Sequence, residues 1–468
     1  MVKLVTTLGA GSVDLYAQKL AQNLDVPKIY TNIYEKTAKL FNISFLSAKA
    51  MKAIWEDWHF IRMLNQENSI VHLPNHHLGR HGLFLREPYI ITVHDLIRYF
   101  DLKGYSTFIH RPNPRDKFYL SLDYRGVKKA TRVIAVSQTT KRDLVRHLGI
   151  PEECISVIYE GIDHQVFRPV SYRLVDYPYI LFVGSEHPRK NFVGLLRAFS
   201  QLKKSGKFEE LKLVKVGKAG GAEAEFRKQS LKVIEELGLQ TEVIFTDYVA
   251  EEDLSAYYSA AECFILPSFY EGFGFPPLEA MACGCPVIIS NRSALPEVAG
   301  EAAIQVDPDN VDEIAATLHE ILGNEEMRKA LISRGVQKAA KFTWKRTAEQ
   351  TFKVYCEVEE SLRTSNKQLY KIKTTEEVKT LPTYEYECSH CSCRFEIKRA
   401  FSDESRVVCH RCGGEVRRIF SPVPIIFKGP GFYCTDNAGG SHKPWHESNT
   451  DESMSGDKKT DQEVVGSK

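Results

Sequence analysis

The stretch YEGFGFPPLEAMACG, residues 270–284, is the most informative part of this chain. The apolar run CFILPS (263–268) before it predicts a buried strand. PPLEAMAC predicts the start of a helix, with Pro277 in the first turn, where a missing N–H costs nothing. Residues 269–276 therefore form the loop between the carboxyl end of a strand and the N-terminus of a helix. Unpaired N–H groups and the helix dipole favour an anion at such a place.

Two carboxylates flank this loop. Glu271 and Glu279 lie eight positions apart, with two glycines, two aromatic residues and a double proline between them. Gly272 and Gly274 allow the backbone to approach a ligand without interference from a Cβ atom. The carboxylates cannot stack on one helical face, so we expect them to bracket a ligand and to accept hydrogen bonds from the hydroxyls of a ribose or a hexose. The alternative is that Glu279 is a first-turn acid that stabilises the helix dipole and that Glu271 is a solvated loop charge.

Strand and helix candidates alternate along most of the chain. The apolar runs typical of buried strands are YIITVHDL (89–96), TRVIAVS (131–137), YILFVG (179–184), LKLVKVG (211–217), EVIFTDYV (242–249), CFILPS (263–268) and PVIIS (286–290). Residues 138–149 predict a helix with Ser137 as its N-cap and Gly149 at its end. This rhythm predicts an α/β fold with two doubly wound, Rossmann-like domains, whose strands offer their carboxyl ends to ligands.

The domain boundaries follow from the same patterns and from composition. We expect an N-terminal domain over residues 1–170 and a second domain over 171–345, completed by a helix at 346–363. Three further segments follow, namely a polar linker (364–381), a small cysteine-rich module (382–436) and a tail (437–468). The tail contains few aliphatic residues and should be disordered.

Charge and hydropathy narrow the functional classes. The 468 residues carry a net charge of +2, so binding of nucleic acid through bulk charge is not expected. No run approaches about 18 consecutive apolar residues, so we expect no transmembrane helix. The N-terminus lacks the pattern of a signal peptide. We therefore expect a cytoplasmic location, in which structural disulfides are not expected for the eleven cysteines.

Several stretches together resemble one family. PSFYEGFGFPPLEAMACGCPVIIS resembles the donor-site signature of the family 4 glycosyltransferases, which have the two-domain GT-B fold. LFVGSEHPRKN (181–191) is similar to the family's diphosphate-binding turn, and LVKVGKAGG (213–221) to its next glycine loop. VIAVSQTTKRDL (133–144) and VIYEGIDHQVFRP (157–169) resemble the end of its N-terminal domain. The resemblance covers about residues 1–360 and implies transfer of a hexose from a nucleotide-diphosphate sugar.

The resemblance implies a role for each matching residue. Lys190, with Arg189 beside it, would neutralise the donor diphosphate, whose negative charge grows as it leaves. Glu279 would hold the nucleotide ribose, Glu271 would contact the transferred sugar, and His94 in TVHDL would face that sugar across the cleft. Glu271 and His94 are thus the candidate catalytic residues. The candidate donor-binding residues are Gly11, Gly184, Arg189, Lys190, Gly217, Val249, Gly272, Phe273, Gly274 and Glu279.

The family mechanism retains the configuration at the anomeric carbon and needs no catalytic metal. The departing phosphate oxygen takes the proton of the acceptor on the same face, while the protein supplies positioning and electrostatics. Glu271 as a covalent nucleophile is the alternative. Many relatives have an arginine after Gly184, where this chain has Ser185, which makes it similar to a mannosyltransferase-like subset. GDP-mannose is therefore our first expectation for the donor, and a UDP-sugar is the second.

The acceptor is less sharply defined by the sequence. Residues 97–132 contain nine Lys or Arg against three Asp. Such a run suits a lipid phosphate or an anionic membrane surface, and the alternative is a solvated helix face. We expect a glycan or lipid-linked acceptor, and we add peripheral contact with the inner membrane surface as a second expectation for the location.

Two C-x2-C pairs near the C-terminus, separated by seventeen residues, have the double-knuckle spacing of structural zinc sites. The four cysteines are Cys388, Cys391, Cys409 and Cys412. Four thiolates close a tetrahedral site and leave no open position for catalysis. Residues 382–437 resemble the FmdB-type zinc ribbon, for which we expect an unidentified protein partner. Cys393 and Cys434 lie outside the pattern and are not expected to bind the metal.

A second class of function stays open at this point. The chain would then be a regulatory or nucleic-acid-binding zinc-ribbon protein whose GT-B part is only a ligand sensor. Basic residues in CRFEIKRA (393–400) and GGEVRRIF (413–420) favour this class. The acidic residues of the ribbon nearly balance them, so nucleic acid is not the expected partner. Among enzymes, a sugar phosphorylase that uses phosphate as the acceptor is a further alternative.

Overall fold

The parallel strands of this protein are short, and most of their residues are buried, as sheets covered by helices on both faces require. The computed structural model describes residues 2–9, 11–31, 48–66, 69–106, 108–218, 223–379, 383–399, 403 and 405–419. The predicted tail at 437–468 and the glycines of the 213–221 loop beyond residue 218 lie outside the described residues. The chain divides into two units, Met1–Leu369 and Tyr370–Lys468.

The first sheet contains six parallel strands. They are β1 (Val2–Thr7), β2 (Lys28–Thr31), β3 (Ile70–Leu73), β4 (Tyr89–Val93), β5 (Arg132–Ala135) and β6 (Ile155–Val157). Their order in the sheet is β2-β1-β3-β4-β5-β6, and Leu4 of β1 pairs with Lys28 on one side and with His72 on the other. The direction in which strands are added reverses between β1 and β3. The loops after these two strands therefore diverge and leave a crevice at the carboxyl edge of the sheet.

The second sheet also contains six parallel strands. They are β7 (Tyr179–Val183), β8 (Lys212–Val216), β9 (Val243–Thr246), β10 (Cys263–Leu266), β11 (Val287–Ser290) and β12 (Ile304–Val306). Their order is β12-β11-β10-β7-β8-β9, with Ile180 of β7 paired to Cys263 of β10. The reversal lies between β7 and β10. This places the loops after these two strands, which contain Lys190 and Glu271, next to each other.

Helices connect the strands and cover both sheets. They are α1 (Ser12–Asn23), α2 (Ala48–Leu64), α3 (Gly79–Gly82), α4 (Ile97–Lys103), α5 (Pro114–Lys129), α6 (Gln138–Asp143), α7 (Phe192–Lys204), α8 (Glu223–Leu237), α9 (Glu251–Ala260), α10 (Phe275–Ala282), α11 (Leu295–Ala299), α12 (Val311–Gly323), α13 (Glu325–Ala339) and α14 (Trp344–Lys379). Short 3-10 turns lie at His76–Leu78 and Pro188–Lys190. Within the described ranges, no helix has both the length and the apolar character of a membrane span.

The predicted α/β architecture is confirmed. Every apolar run that predicted a strand forms one, and Ser137 caps α6 by accepting a hydrogen bond from the backbone N–H of Thr140. The chain continues beyond α6 as a π-helical turn at Leu144–Leu148, which ends at Gly149 in the left-handed region with φ 66°. Strands β2, β3, β6 and β12 were not predicted. Their sequences, KIYT, IVHL, ISV and IQV, are short and contain polar residues, so none of them forms a continuous apolar run.

Helix α14 packs against the first sheet, although it follows the second sheet in the chain. Its residues Trp344, Val354 and Tyr355 are buried in one cluster with Leu4 of β1 and Tyr16 of α1. Tyr355 Oη lies 2.6 Å from His72 Nδ1, and His72 Nε2 lies 2.8 Å from Thr92 Oγ1. Burial lowers the pKa of His72 to about 3, so this histidine is neutral at physiological pH.

The structure corrects the linker that the sequence predicted at 364–381. Helix α14 continues to Lys379, so most of that segment is helical. The prediction was based on polarity and on the absence of apolar periodicity. However, the segment contains four Lys, two Glu and one Gln, which have high helix propensity. An extension of an established helix needs no apolar stripe, because the helix is already nucleated.

The second unit contains a small antiparallel sheet. Its strands are β13 (Thr383–Cys388), β14 (Arg394–Lys398) and β15 (Val416–Ile419), in the order β14-β13-β15. Cys388 ends the central strand and pairs with Val416 of β15. The sheet is small and most of its residues are exposed or partly exposed, so it provides little apolar core of its own.

The contact between α14 and His72 gives a testable prediction. Tyr355→Phe removes the hydroxyl that lies 2.6 Å from His72 Nδ1 and thereby takes away the hydrogen-bond partner of a buried ring nitrogen. We expect the free energy of unfolding to fall by about 1–3 kcal/mol, as for other buried polar groups left unsatisfied. Urea unfolding followed by circular dichroism measures the change. Tyr172→Phe is the matched control, because it removes a hydroxyl from an exposed tyrosine and should change stability by less than about 0.5 kcal/mol. Equal losses in the two variants would contradict the assignment.

Candidate active site

Glu271 lies in the loop after β10 and is the most highly connected carboxylate at the edge of the second sheet. Arg189 Nη1 donates to its Oε2 at 2.6 Å, and Lys190 Nζ donates to its Oε1 at 2.9 Å. Ser268 Oγ also donates to Oε1, at 2.8 Å, and the backbone N–H of Glu271 donates to Ser293 Oγ. Glu271 is only 8% exposed. The alternative that it is a solvated loop charge is therefore wrong.

The surroundings of Glu271 keep it ionised. Burial alone would raise the pKa of Glu271, but the charges of Arg189 and Lys190 and their hydrogen bonds outweigh this effect. The pKa is lowered to about 2. At physiological pH the carboxylate is fully charged and lies between two fixed cations.

Lys190 reaches Glu271 across Gly184. The residue follows β7 and is buried, and burial lowers the pKa of its ammonium group. Gly184 has φ +144°, and a Cβ at this position would lie 2.9 Å from Lys190 Cδ and Cε. A side chain at residue 184 would therefore push Lys190 away from Glu271. The glycine is needed for the ion pair as well as for the turn.

Glu279 lies in α10, and its environment differs from that of Glu271. Tyr258 Oη donates to its Oε2 at 2.8 Å, and the side chain is partly buried. Burial raises the pKa of Glu279 to about 7. The helix begins at Phe275, so Glu279 lies in the second turn, and the expectation of a first-turn acid that stabilises the dipole is wrong. Glu271 and Glu279 thus have pKa values far apart, because two cations face the first and an apolar surrounding encloses the second.

His94 follows β4 and is held by the protein at both ring nitrogens. Nδ1 lies 2.8 Å from Glu160 Oε1, and Nε2 lies 2.9 Å from the carbonyl oxygen of Pro74. Glu160 and the Pro74 carbonyl are both acceptors, an arrangement that favours a proton on each ring nitrogen. Burial lowers the pKa of His94, but the hydrogen bond and charge of Glu160 outweigh it, and the pKa is raised. In this arrangement neither ring nitrogen is free to face a sugar.

The backbone of His94 meets the loop after β10. A Cβ at Gly272 would lie 2.0 Å from the carbonyl oxygen of His94, so only glycine fits at this position. Thr140 Oγ1 lies within hydrogen-bonding distance of the carbonyl oxygens of both His94 and Gly272. Gly272 is therefore the point at which the second sheet's loop touches the first sheet's loop.

Two further contacts join the halves of this unit. Glu297 of α11 accepts hydrogen bonds from the backbone N–H groups of Gln138 and Thr139 at the N-terminus of α6, at 2.6 and 3.1 Å. Tyr270 Oη donates to Asp143 Oδ2 at 2.6 Å. The Glu297 carboxylate thus satisfies two N–H groups at the start of α6 that have no partner within the helix. These hydrogen bonds connect the two sheets on this side of the cleft.

The remaining predicted donor-binding residues lie along the same edges. Gly217 follows β8, and Val249 follows β9, where it is partly buried against the core of the second sheet. Gly274 is the N-cap of α10 with φ +120°. Phe273 is buried against other aromatic rings, so only its backbone is available to a ligand. Gly11 is the N-cap of α1 at the carboxyl edge of the first sheet, where its N–H donates to Asp14.

Several site residues were missed by the sequence analysis. They are Glu160, Tyr258, Ser268, Ser293 and Glu297. Ser268 lies three positions before Glu271, inside the same sequence motif, and could have been identified from it. The others come from distant parts of the chain, and no local pattern connects them to Glu271, Glu279 or His94.

The second unit contains a separate candidate metal centre. The Sγ atoms of Cys388, Cys391, Cys409 and Cys412 all lie within 4.8 Å of one another. The backbone N–H of His390 donates to Cys388 Sγ, and that of Arg411 donates to Cys409 Sγ, at 3.3 and 3.4 Å. Hydrogen bonds from the Cys391 and His390 backbones lower the pKa of Cys388 to about 6, which favours the thiolate. Four converging sulfurs with N–H donors fit a tetrahedral zinc site.

Of the two cysteines outside the pattern, Cys393 is among the described residues and Cys434 is not. Cys393 Sγ points to the backbone of Arg394 at 3.8 Å and does not belong to the sulfur cluster. Cys434 lies outside the described residues. The predicted set of four ligands is therefore the set that the described residues bring together.

Comparisons with known proteins agree with this arrangement. Residues 13–166 match the family model Glycosyltransferase Family 4, and residues 165–338 match the model Glycosyl transferases group 1. The O-antigen chain mannosyltransferase B of Escherichia coli is 33% identical over 296 residues, which cover 61% of this chain and 74% of the relative. The serotype-specific mannosyltransferase WbdA of Escherichia coli is 29% identical over 273 residues, which cover 55% of this chain but only 32% of WbdA.

A solved structure shares the fold. The sucrose-phosphate synthase of Thermosynechococcus elongatus superposes with a TM-score of 0.60 over 77% of this chain and 99% of that chain. The sequence identity is 21%, so the comparison concerns the fold alone.

The raised pKa of Glu279 gives a prediction about stability and pH. The folded pKa is about 7 against an ordinary value of 4.5, so the folded state holds a proton that the unfolded state releases between these values. The stabilisation is fully present below about pH 4.5 and is lost as the pH rises through about 7. We expect the wild type to lose about 1–2 kcal/mol more than Glu279→Gln over this range, a value reduced for partial exposure. Denaturant unfolding of both proteins at a series of pH values tests this, and parallel stability profiles would overturn it.

Proposed function

The chain belongs to the family 4 glycosyltransferases, and from this premise we propose that it is a retaining mannosyltransferase with GDP-mannose as donor and a glycan or lipid-linked acceptor. The observation that carries the proposal is the pair of cations, Arg189 and Lys190, held against Glu271 where β7 and β10 diverge. Two relatives named as mannosyltransferases support the choice of mannose, as does the small Ser185 after Gly184. A UDP-sugar is the second candidate donor.

The order of the strands suits an extended donor. Strands β10, β7, β8 and β9 are neighbours, and the candidate residues that follow them are, in the same order, Glu271, Lys190, Gly217 and Val249. A ligand lying along this edge would meet Glu271 at one end and Val249 at the other. A nucleotide sugar has the matching sequence of groups, namely sugar, diphosphate, ribose and base. We therefore assign the sugar to Glu271, the diphosphate to Lys190 and Arg189, and the base to the neighbourhood of Val249.

Binding of the diphosphate would change the partners of Glu271. In the structure Arg189 and Lys190 neutralise this carboxylate. A diphosphate brings more negative charge to the same cations and would compete for them. Glu271 would then be released to accept hydrogen bonds from the sugar hydroxyls. Glu279, whose pKa is about 7, is ionised in a large fraction of molecules at neutral pH and would accept from the ribose.

The chemical step then requires positioning and charge. The bond between the anomeric carbon and the diphosphate oxygen breaks, and a bond to the acceptor oxygen forms on the same face. The acceptor's proton passes to the departing phosphate oxygen. Arg189 and Lys190 stabilise the negative charge that develops there, because they are fixed before the reaction begins. Direct attack by Glu271 on the anomeric carbon is the alternative, and it would require the attacking oxygen to leave its present donors.

His94 would act as a fixed positive group in this scheme. Glu160 favours the protonated form of the His94 ring, and the carbonyl oxygen of His94 meets Gly272, one residue after Glu271. The hydrogen bond between His94 and Glu160 would therefore fix the position at which the backbone of His94 contacts the loop that holds the sugar. This role does not require a proton to be transferred from the ring.

The second unit would be a zinc ribbon that takes no part in the transfer reaction. Four thiolates leave no open coordination position, so the metal would hold the small sheet together. An unidentified protein partner would bind this module. We also place the protein in the cytoplasm, at the inner surface of the membrane, where lipid-linked acceptors are exposed.

The cations give the first test of the proposal. Lys190→Ala should lower kcat/KM for GDP-mannose by about 100- to 1000-fold, the usual scale for one preorganised electrostatic contact. Glu271→Gln should reduce kcat while leaving the affinity for the nucleotide nearly unchanged. Lys204→Ala, at an exposed position of α7, is the matched control and should behave as the wild type. Turnover is measured as mannosyl transfer, and the anomeric configuration of the product by NMR.

Three results would argue against these roles. If Lys190→Ala loses affinity for GMP and GDP equally, Lys190 does not read the terminal phosphate. If Glu271→Gln keeps the wild-type kcat at saturating donor, Glu271 does not contact the reacting sugar. Tight retention of GDP-mannose without transfer to any acceptor would favour a ligand sensor over an enzyme.

The cysteines give a second test. Cys409→Ser removes one of the four thiolates and should release zinc and unfold the residues of the second unit's sheet, since metal binding and folding are coupled in such modules. Cys393→Ser is the matched control and should keep one zinc per chain, because its sulfur lies outside the cluster. Zinc content and donor-dependent turnover are measured in both variants. Turnover should persist in Cys409→Ser, and its loss together with zinc would mean that the ribbon contributes to the acceptor site.

A further inference from the structure

Helix α2 carries apolar side chains both on the face that packs inward and on the face that points outward. Asp57 accepts a hydrogen bond from the buried His81 at 3.0 Å, and Phe60 and Leu64 belong to the core of the first sheet. This inward face accounts for the position of the helix. Any apolar residue on the opposite face therefore needs another explanation.

The outward face of α2 carries large apolar side chains. Ile54, Trp55 and Trp58 are 52%, 60% and 54% exposed. Arg62, one turn after Trp58, lies with its guanidinium 5.4 Å from the Trp58 ring. Single exposed hydrophobic residues are common on proteins, but three on one helical face with two tryptophans are typical of a surface that contacts a partner or a membrane.

Helix α5 separates its charges. Both of its acids, Asp116 and Asp123, are buried. The exposed residues of its outward face include Lys117, Arg125, Lys128 and Lys129. Among the described residues, Lys117, Arg125 and Lys128 form no ion pair. The exposed surface of α5 therefore carries cations and no acidic side chain, together with the exposed Phe118, and these cations belong to the basic run that the sequence analysis noted at 97–132.

The C-terminal ends of α2 and α5 both contact the segment after α3. Asn65, at the end of α2, donates to the carbonyl oxygen of Phe84 and accepts from the backbone N–H of Arg86. Lys129, at the end of α5, reaches the carbonyl oxygen of Leu83. Phe84 itself is 61% exposed. The two helices thus end beside one segment, and that segment carries an exposed phenylalanine.

We propose that this surface, formed by the outward faces of α2 and α5 and by Phe84, binds an anionic lipid bilayer. Tryptophan rings prefer the boundary between the headgroups and the acyl chains, and lysine and arginine attract anionic headgroups. The two helices supply both contributions. The proposal rests on the proposed function only in that a lipid-linked acceptor would be presented at the same bilayer.

Vesicle binding by the full-length protein tests the surface. Phosphatidylcholine vesicles that contain phosphatidylglycerol should bind the protein, and vesicles of phosphatidylcholine alone should bind it far less. The double variant Arg125→Glu and Lys128→Glu should lower the partition coefficient by at least about 30-fold, which is about fivefold for each cation removed. The double variant Lys228→Glu and Lys232→Glu changes the net charge equally on the exposed surface of α8 and should bind as the wild type.

Tryptophan fluorescence tests the aromatic part independently. Brominated lipids should quench Trp55 and Trp58 when the protein binds, and quenching should be lost in the double variant Trp55→Phe and Trp58→Phe. Trp344 is buried and should contribute little. Unquenched tryptophans would overturn the proposal, since the face would then be covered by another segment of the chain. Concentration-dependent dimers in light scattering that disappear in the tryptophan variant would assign the face to a second copy and would also overturn it.

The membrane-binding proposal and the proposed function can fail independently of each other. Transfer of mannose to a soluble acceptor, with equal vesicle binding by the wild type and by the α5 variant, overturns the surface and leaves the enzyme proposal intact. Charge-dependent vesicle binding by a protein that does not bind GDP-mannose supports the surface and contradicts the proposed donor.

Discussion

The contact of the Glu271 carboxylate with Arg189 and Lys190 is the interaction on which the candidate site depends. Charges are costly to bury unless they are paired and hydrogen-bonded, and breaking such a cluster leaves an uncompensated charge. The cations follow β7 and the carboxylate follows β10, strands that lie far apart in the chain. They become neighbours because the second sheet reverses its direction of growth between these strands. The strand order therefore creates the site, and Gly184 keeps Lys190 in reach of Glu271.

The loop that contains Glu271 also joins the two sheets of the first unit. Tyr270 donates to Asp143, and Gly272 fits against the carbonyl oxygen of His94 with no room for a Cβ atom. Glu297 adds a contact to the free N–H groups of α6. A ligand that changes the partners of Glu271 acts on a loop that holds the domains together. The same loop therefore holds the Glu271 carboxylate and connects the two sheets.

The sequence predicted the regular parts of the fold well and the irregular parts less well. Buried parallel strands such as β7 and β10 are strongly apolar, so their positions could be found without a structure. Polarity misled the analysis at 364–381, because helix propensity and continuation from a packed helix do not require apolar residues. Glu279 was placed one turn too early, because helix α10 begins at Phe275, before the double proline.

The sequence by itself determined the two doubly wound domains, the strand, loop and helix order around the 270–284 loop and the four cysteines of the candidate metal centre. These depend on local patterns, namely hydrophobic runs, helix starts and fixed spacings. Only the tertiary structure decided which groups surround the two glutamates. Arg189 and Lys190 lower the pKa of Glu271 to about 2, whereas burial beside Tyr258 raises that of Glu279 to about 7. The physical reason is that a pKa depends on burial and on charges brought close by the fold, and sequence spacing specifies neither.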